Sequence, residues 1–166
     1  MALIYTLSVD NQNETKIHFS FIKSISHYQC IVLNEDNIRK NILLRTLEGS
    51  ELSVSLYKYS RYIKYGNFQF LSKYNITFKL DKNELILNDQ IIIISIIINL
   101  ILDNIATNYL VSFNSEVLIL YKEESCPITL NLRSRFWNDK LIKLFDHIKY
   151  DTIDEEREID YYPLKQ

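Results

Sequence analysis

Residues Gln90–Asn108, QIIIISIIINLILDNIATN, constrain the fold more than any other stretch of the chain. Ser95, Asn99, Asp103 and Thr107 recur every fourth residue, which places them along one edge of an α-helix. Nearly all the remaining surface is Ile and Leu, so the spacing predicts a helix over about 89–108, greasy on most sides, at the centre of a folded domain. Asn88 and Asp89 are good residue types for its N-cap. Ile-rich runs also favour buried strands, but the length and the four-residue polar spacing argue for helix. A membrane span needs about 20 apolar residues. The unbroken run Ile91–Leu102 is shorter and contains Ser95 and Asn99, and Asp103 follows at once.

The other elements read from their periodicity. Leu3–Val9 alternates as a half-buried strand, and Lys16–Ile22 and Tyr28–Leu33 follow as two more, together an antiparallel meander. Glu35–Leu47 reads as a short helix capped by Asp36, with a strand over Ile42–Leu47 as the alternative. Glu51–Tyr57, Phe68–Leu71, Ile76–Leu80 and Leu85–Leu87 read as strands, and Glu116–Lys122 with Ile128–Leu132 as a hairpin. Trp137, Leu141, Leu144, Phe145 and Ile148 form one apolar stripe, which predicts an amphipathic helix over about 139–150 with Asn138 as N-cap. The expected architecture is α+β: a mainly antiparallel sheet packed around one buried central helix and closed by a carboxy-terminal helix.

At 166 residues the chain is sized for one domain, 1–150, followed by an acidic tail, 151–166. The net charge of −2 hides an asymmetry: the tail carries −4 and the first 150 residues +2. The amino terminus, MALIYTLSVDNQ, has neither a basic segment nor a long apolar one, so a secretory signal is not expected and the location is read as cytoplasmic. Two sequons, at Asn13 and Asn75, then read as chance matches. Cys30 and Cys126 are too few for a disulfide scaffold and read as buried free thiols.

Catalytic hardware is sparse. His18, His27 and His147 are scattered without metal-ligand spacing, so no metal is expected. His27 and Cys30, three apart on a strand, would face opposite sides of the sheet, which spoils a nucleophile–base pair. Gly49 and Gly66 stand alone, which removes glycine-rich phosphate cradles and nucleotide cofactors. Glu123-Glu124 and Glu155-Glu156 read as solvated surface, and a groove beside Asp103 is the remaining enzymatic option.

Two stretches have distinct chemistry. Residues 57–80 contain Lys58, Arg61, Lys64, Lys73 and Lys79, no acid, and eight interleaved Tyr and Phe residues. Basic groups meet phosphates and aromatic faces stack on bases, so Lys58, Arg61, Tyr62 and Lys64 form a candidate single-stranded nucleic-acid surface. Tyr and Arg also suit protein interfaces. The tail offers Asp154, Glu155, Glu156 and Glu158 to steer a basic partner, with Tyr161 and Tyr162 as anchors. The ordinary explanation of such a tail is a solvated end, and another reading is a segment that folds back on the basic stretch at Tyr57–Lys79. The preferred expectation is a non-enzymatic intracellular protein that neutralises another protein by occlusion, as toxin-immunity proteins and viral antagonists do. That is an analogy of class; no motif marks a family. The alternative is the nucleic-acid module, and no membrane partner is expected.

Overall fold

A computed structural model describes residues 3–10, 23, 31–36, 41–45, 51–80, 87–102 and 108–164. Its strands are β1 (Leu3–Val9), β2 (Ile31–Asp36), β3 (Asn41–Arg45), β4 (Glu51–Tyr65), β5 (Phe68–Leu80), β6 (Tyr109–Phe113), β7 (Val117–Lys122), β8 (Ile128–Asn131), β9 (Tyr150–Ile153) and β10 (Asp160–Pro163). All ten lie in one sheet, ordered β2-β3-β4-β5-β1-β6-β7-β8-β9, with β10 added to β4. Every pairing is antiparallel except β8–β9. The helices are α1 (Leu87–Leu102) and the single turn α2 (Asp139–Ile142), with 3-10 turns at Leu132–Ser134 and Lys143–Phe145.

This corrects the α+β expectation. The organising element is the sheet, and the fold is mostly β. The helix of the Ile run does form, over 16 residues, and Ser95 and Asn99 lie on its part-exposed side. It packs against one face of the sheet and is not wrapped by it: Ile93, Ile94, Ile96, Ile97 and Leu100 join Leu7, Val54, Ile76, Phe78 and Val111 in a first core cluster. A second cluster holds Ile63, Tyr65, Phe68, Phe70, Leu110, Leu118 and Ile159. Side chains alternate along a strand, so Val111 and Leu110 point to opposite faces of β6, and the sheet is buried on both sides there. Residues 103–107, including Asp103 and Thr107, lie outside the described residues, and Tyr109 is already strand.

The expected helix over 139–150 is also corrected. Asn138 does cap it, its side chain accepting from the Lys140 and Leu141 N–H groups, but the α-helix ends after one turn. Leu141 and Phe145 still face the core, with Trp137, Leu144 and Ile148 packed beside them. A helix this short is marginal by itself, and the chain leaves it to feed Tyr150–Ile153 into parallel pairing with β8.

Elsewhere, β2 and β3 form a hairpin where a short helix was favoured. The expected three-strand meander is not the pattern either: β1 sits between β5 and β6, while β2 pairs with β3. The run at Lys16–Ile22 falls outside the described residues. Phe68–Leu80 is one strand, not two. Cys126 is an exposed thiol in the turn after β7, not a buried one, and Cys30 is outside the described residues.

The β4–β5 ribbon positions the candidate site. Inward residues of β5 stay in phase along its whole length, yet Tyr74, Ile76, Phe78 and Leu80 enter the first cluster while Phe68 and Phe70 enter the second. On β4 the buried apolar positions change from Leu52, Val54 and Leu56 to Ile63 and Tyr65, even numbers to odd. The register shift between Lys58 and Arg61 causes that change. A bulge bends a strand and increases its twist, and beyond it the ribbon has left β1, whose pairing with β5 stops at Tyr74.

Candidate functional site

The acidic tail and the basic-aromatic stretch are adjacent. After β9, residues 154–159 cross the second cluster, and β10 then pairs with β4 in the register Asp160↔Lys64, Tyr161↔Ile63, Tyr162↔Tyr62, Pro163↔Arg61. Of the three readings of the tail, the backbone follows the one in which it folds back on the basic stretch. β3 covers the edge of β4 at 51–55 and β10 covers it at 61–64, so the edge is paired on both sides of the bulge. Proline has no N–H to continue a ladder, and Pro163 is the last residue of β10.

The alternation of these strands sorts the candidate residues into two groups. Tyr161 and Ile63 point inward, and Ile159 is buried in the second cluster. Tyr62 and Tyr162, opposite each other in the register, point outward at 40% and 49% exposure. Tyr57 and Tyr59 are more exposed still, and Lys58 and Lys64 are exposed with them. Tyr62, Lys64, Asp160 and Tyr162 thus share one outward face, with Asp160 opposite Lys64, while Tyr57, Lys58 and Tyr59 are exposed on the other side of the bulge.

Arg61 does not belong to that face. Its guanidinium lies 4.0 Å from the centre of the Tyr161 ring, and its Nη2 donates to Asn75 Oδ1 at 3.4 Å. Burial lowers its pKa, against the raising influence of the Tyr161 and Tyr59 hydroxyls. Asn75 is itself buried, accepting from Ser8 Oγ at 2.7 Å and donating to the Tyr59 carbonyl at 3.2 Å. Arg61 therefore closes a polar seam between the ribbon and the sheet. Tyr161 also reaches Ser112 Oγ, at 3.5 Å, and burial raises its pKa, partly offset by Ser112 and Arg61.

Of the tail acids, Asp154, Glu156 and Glu158 are exposed and Glu155 is partly buried. Glu155 pairs with Arg157 at 2.9 Å and Glu156 with Arg133 at 3.3 Å. Exposed pairs of this kind contribute at most about 1 kcal/mol. The backbone is held more firmly, by the buried Asn131 side chain, which both donates to and accepts from the Glu155 peptide.

The segment 155–158 is the common wall of two cavities. The larger, about 540 Å³, lies against the 3-10 turn and the start of β7, with Arg133, Arg135, Glu116 and Glu158 on its rim. The smaller, about 330 Å³, lies at the ribbon tip beside Tyr121 and Glu123. Together their linings hold five glutamates and three arginines, a surplus of acid. Gly66 turns the tip with φ +58°, and any Cβ there would stand 2.5 Å from Arg157 Nη1.

Sequence reasoning missed Asn131, Arg133, Arg157, Tyr65 and Tyr121. A single arginine inside an acidic run and a Gly-Asn pair between two strand patterns were usable signals for Arg157 and the tip; Asn131 had none. Among the described residues no three His, Cys, Asp or Glu side chains converge as metal ligands. No described helix is long and apolar enough to cross a membrane. Comparison with protein families, with characterised proteins and with solved structures finds no match to this chain.

Proposed function

We propose that the chain is a non-enzymatic cytoplasmic binding protein that occludes the surface of another protein, one with basic character. The observation that carries this reading is the pairing of β10 with β4, which sets Tyr162 opposite Tyr62 on one exposed face. Tyr57 and Tyr59 are exposed on the same ribbon, and the acid-rich rim of 155–158 continues from β10. Tyrosine buries a large area at a cost of few rotatable bonds, and a paired strand holds it rigid before binding. The acids Asp154, Glu156 and Glu158 steer a basic partner and set its salt dependence.

The second reading is single-stranded nucleic acid along the same ribbon, with tyrosines stacking on bases and Lys58 and Lys64 on phosphates. It is weaker because Arg61, its strongest cation, is engaged by Tyr161 and Asn75, and Lys64 faces Asp160.

The test is capture from an extract of the source cells, nuclease-treated, on the immobilised chain and on a Tyr62→Ala, Tyr162→Ala double variant. One stoichiometric protein retained by the native chain and lost by the variant supports the reading. Capture of nuclease-sensitive material alone transfers it to nucleic acid. Capture indifferent to both tyrosines overturns the tyrosine face.

A further inference from the structure

The smaller cavity has a composition that selects its occupant. Its lining is largely polar, and behind it three rings are packed together: Phe68 stacks on Tyr121 with ring centres 4.9 Å apart, and Tyr65 lies 6.1 Å from the same ring. Its rim carries Glu123, Glu155 and Arg157. The Arg157 charge is met by Glu155 at 2.9 Å, whereas the exposed Glu123 carboxylate has no partner among the described residues. The rim therefore keeps one negative charge in excess.

Tyr65 adds a second, independent observation. The residue is 4% exposed, and its hydroxyl is buried without a hydrogen-bond partner among the described residues. A buried hydroxyl left in that state is costly, and native structures pair nearly all such groups. Burial first, then the negative charge of Glu155, raises the Tyr65 pKa, while Arg157 opposes the shift. The hydroxyl thus feels the two charges of the rim and stays protonated and neutral, with lone pairs available to accept.

We propose that this cavity receives a lysine or arginine side chain of the partner protein, with Glu123 and Glu155 as countercharges and the Tyr65 hydroxyl accepting one of its N–H groups. Ammonium and guanidinium groups are donors with no acceptor, the complement of two carboxylates and a hydroxyl acceptor. A carboxylate ligand would instead meet Glu123 and Glu155 as like charges. The proposal rests on the reading of the chain as a protein-binding module and gives that module a specific anchor, at the tip of the ribbon that carries the tyrosine face.

The experiment titrates N-acetyl-L-arginine amide into the full chain, with the neutral isostere N-acetyl-L-citrulline amide as control, followed by amide NMR shifts at 65–68 and 121–123. Saturable shifts with the arginine amide, at about millimolar affinity and about tenfold tighter than with the citrulline amide, support it. Glu123→Gln, at an exposed position, and Tyr65→Phe, which removes an unpaired hydroxyl, both keep the fold. Each weakens the arginine amide by about threefold to tenfold. Equal shifts with both amides, no saturation, or affinity unchanged in both variants overturns the proposal. A protein still captured through Tyr62 and Tyr162 when the arginine amide fails would overturn the cavity alone and leave the binding reading standing.

Discussion

Asn131 grips the peptide of Glu155 from both sides: its Nδ2 donates to the Glu155 carbonyl at 3.0 Å and its Oδ1 accepts the Glu155 N–H at 3.3 Å. The same amide donates to the Leu118 carbonyl and accepts from the Arg133 N–H, so both its donors and both its lone pairs are used. One side chain on β8 thereby ties the tail to β7 and to the 3-10 turn. Asn131→Ala removes four bonds at a buried position and leaves their partners to find others. A stability loss of about 2–3 kcal/mol is expected in urea unfolding, together with faster proteolysis at 154–158. A variant as stable as the native chain would mean that water replaces the amide at no cost.

Arg61 was a natural candidate for phosphate contact, and the structure gives it a different task. With its guanidinium over Tyr161 and its stem inside the ribbon, Arg61→Ala should destabilise the fold by about 1–2 kcal/mol. Lys64→Ala, on the exposed face, should leave the unfolding midpoint where it is. The double variant Arg61→Ala, Tyr161→Ala should cost less than the two single changes summed, because the stacking is lost only once. Strict additivity would show that the two side chains do not interact in solution.

What could be read from the sequence divides along physical lines. Local periodicity carried α1, β1 and the β7–β8 hairpin, because Ile93–Leu100 and Leu3–Val9 repeat with the period of their own element; but β1 is not half-buried as its alternation suggests, since Tyr5–Val9 are all buried in a central strand. It also carried the inward stripe of Leu141 and Phe145, but not the length of the helix, which is decided by Tyr150–Ile153 pairing with a distant strand. The bulge on β4 left a trace, the change of apolar parity between Leu56 and Ile63, obscured by tyrosines at 57, 59 and 62. The tail left almost none. Four residues of β10 show no period, and the acids around them outweigh the two inward residues Ile159 and Tyr161. The candidate site was legible as two stretches of opposite chemistry; their adjacency depends on pairing between residues about a hundred positions apart, which no local pattern records.

Four tyrosines whose ionisation is opposed by burial make the fold sensitive to alkali. Burial raises the pKa of Tyr109 and Tyr5 strongly and of Tyr65 and Tyr161 less; for Tyr5 the Gln90 hydrogen bond works weakly in the opposite direction. In an unfolded chain a tyrosine ionises near pH 10. Above that pH the folded state keeps protons that the unfolded state has released, so the tyrosines' contribution to stability is constant below about pH 10 and falls as pH rises beyond it. Each such group steepens the fall by up to about 1.4 kcal/mol per pH unit until its own folded pKa is reached. Tyr109 tests this in a single variant, because its hydroxyl is buried without a hydrogen-bond partner among the described residues. Tyr109→Phe should match or exceed native stability at pH 7, by up to about 1 kcal/mol. It should also lose stability less steeply above pH 10, by the equivalent of one proton. Urea midpoints from pH 7 to alkaline, read beside the tyrosinate absorbance, decide it: the slow ionising class must appear together with unfolding. Complete ionisation of every tyrosine while the fold persists would show that Tyr109 and Tyr5 reach water without unfolding.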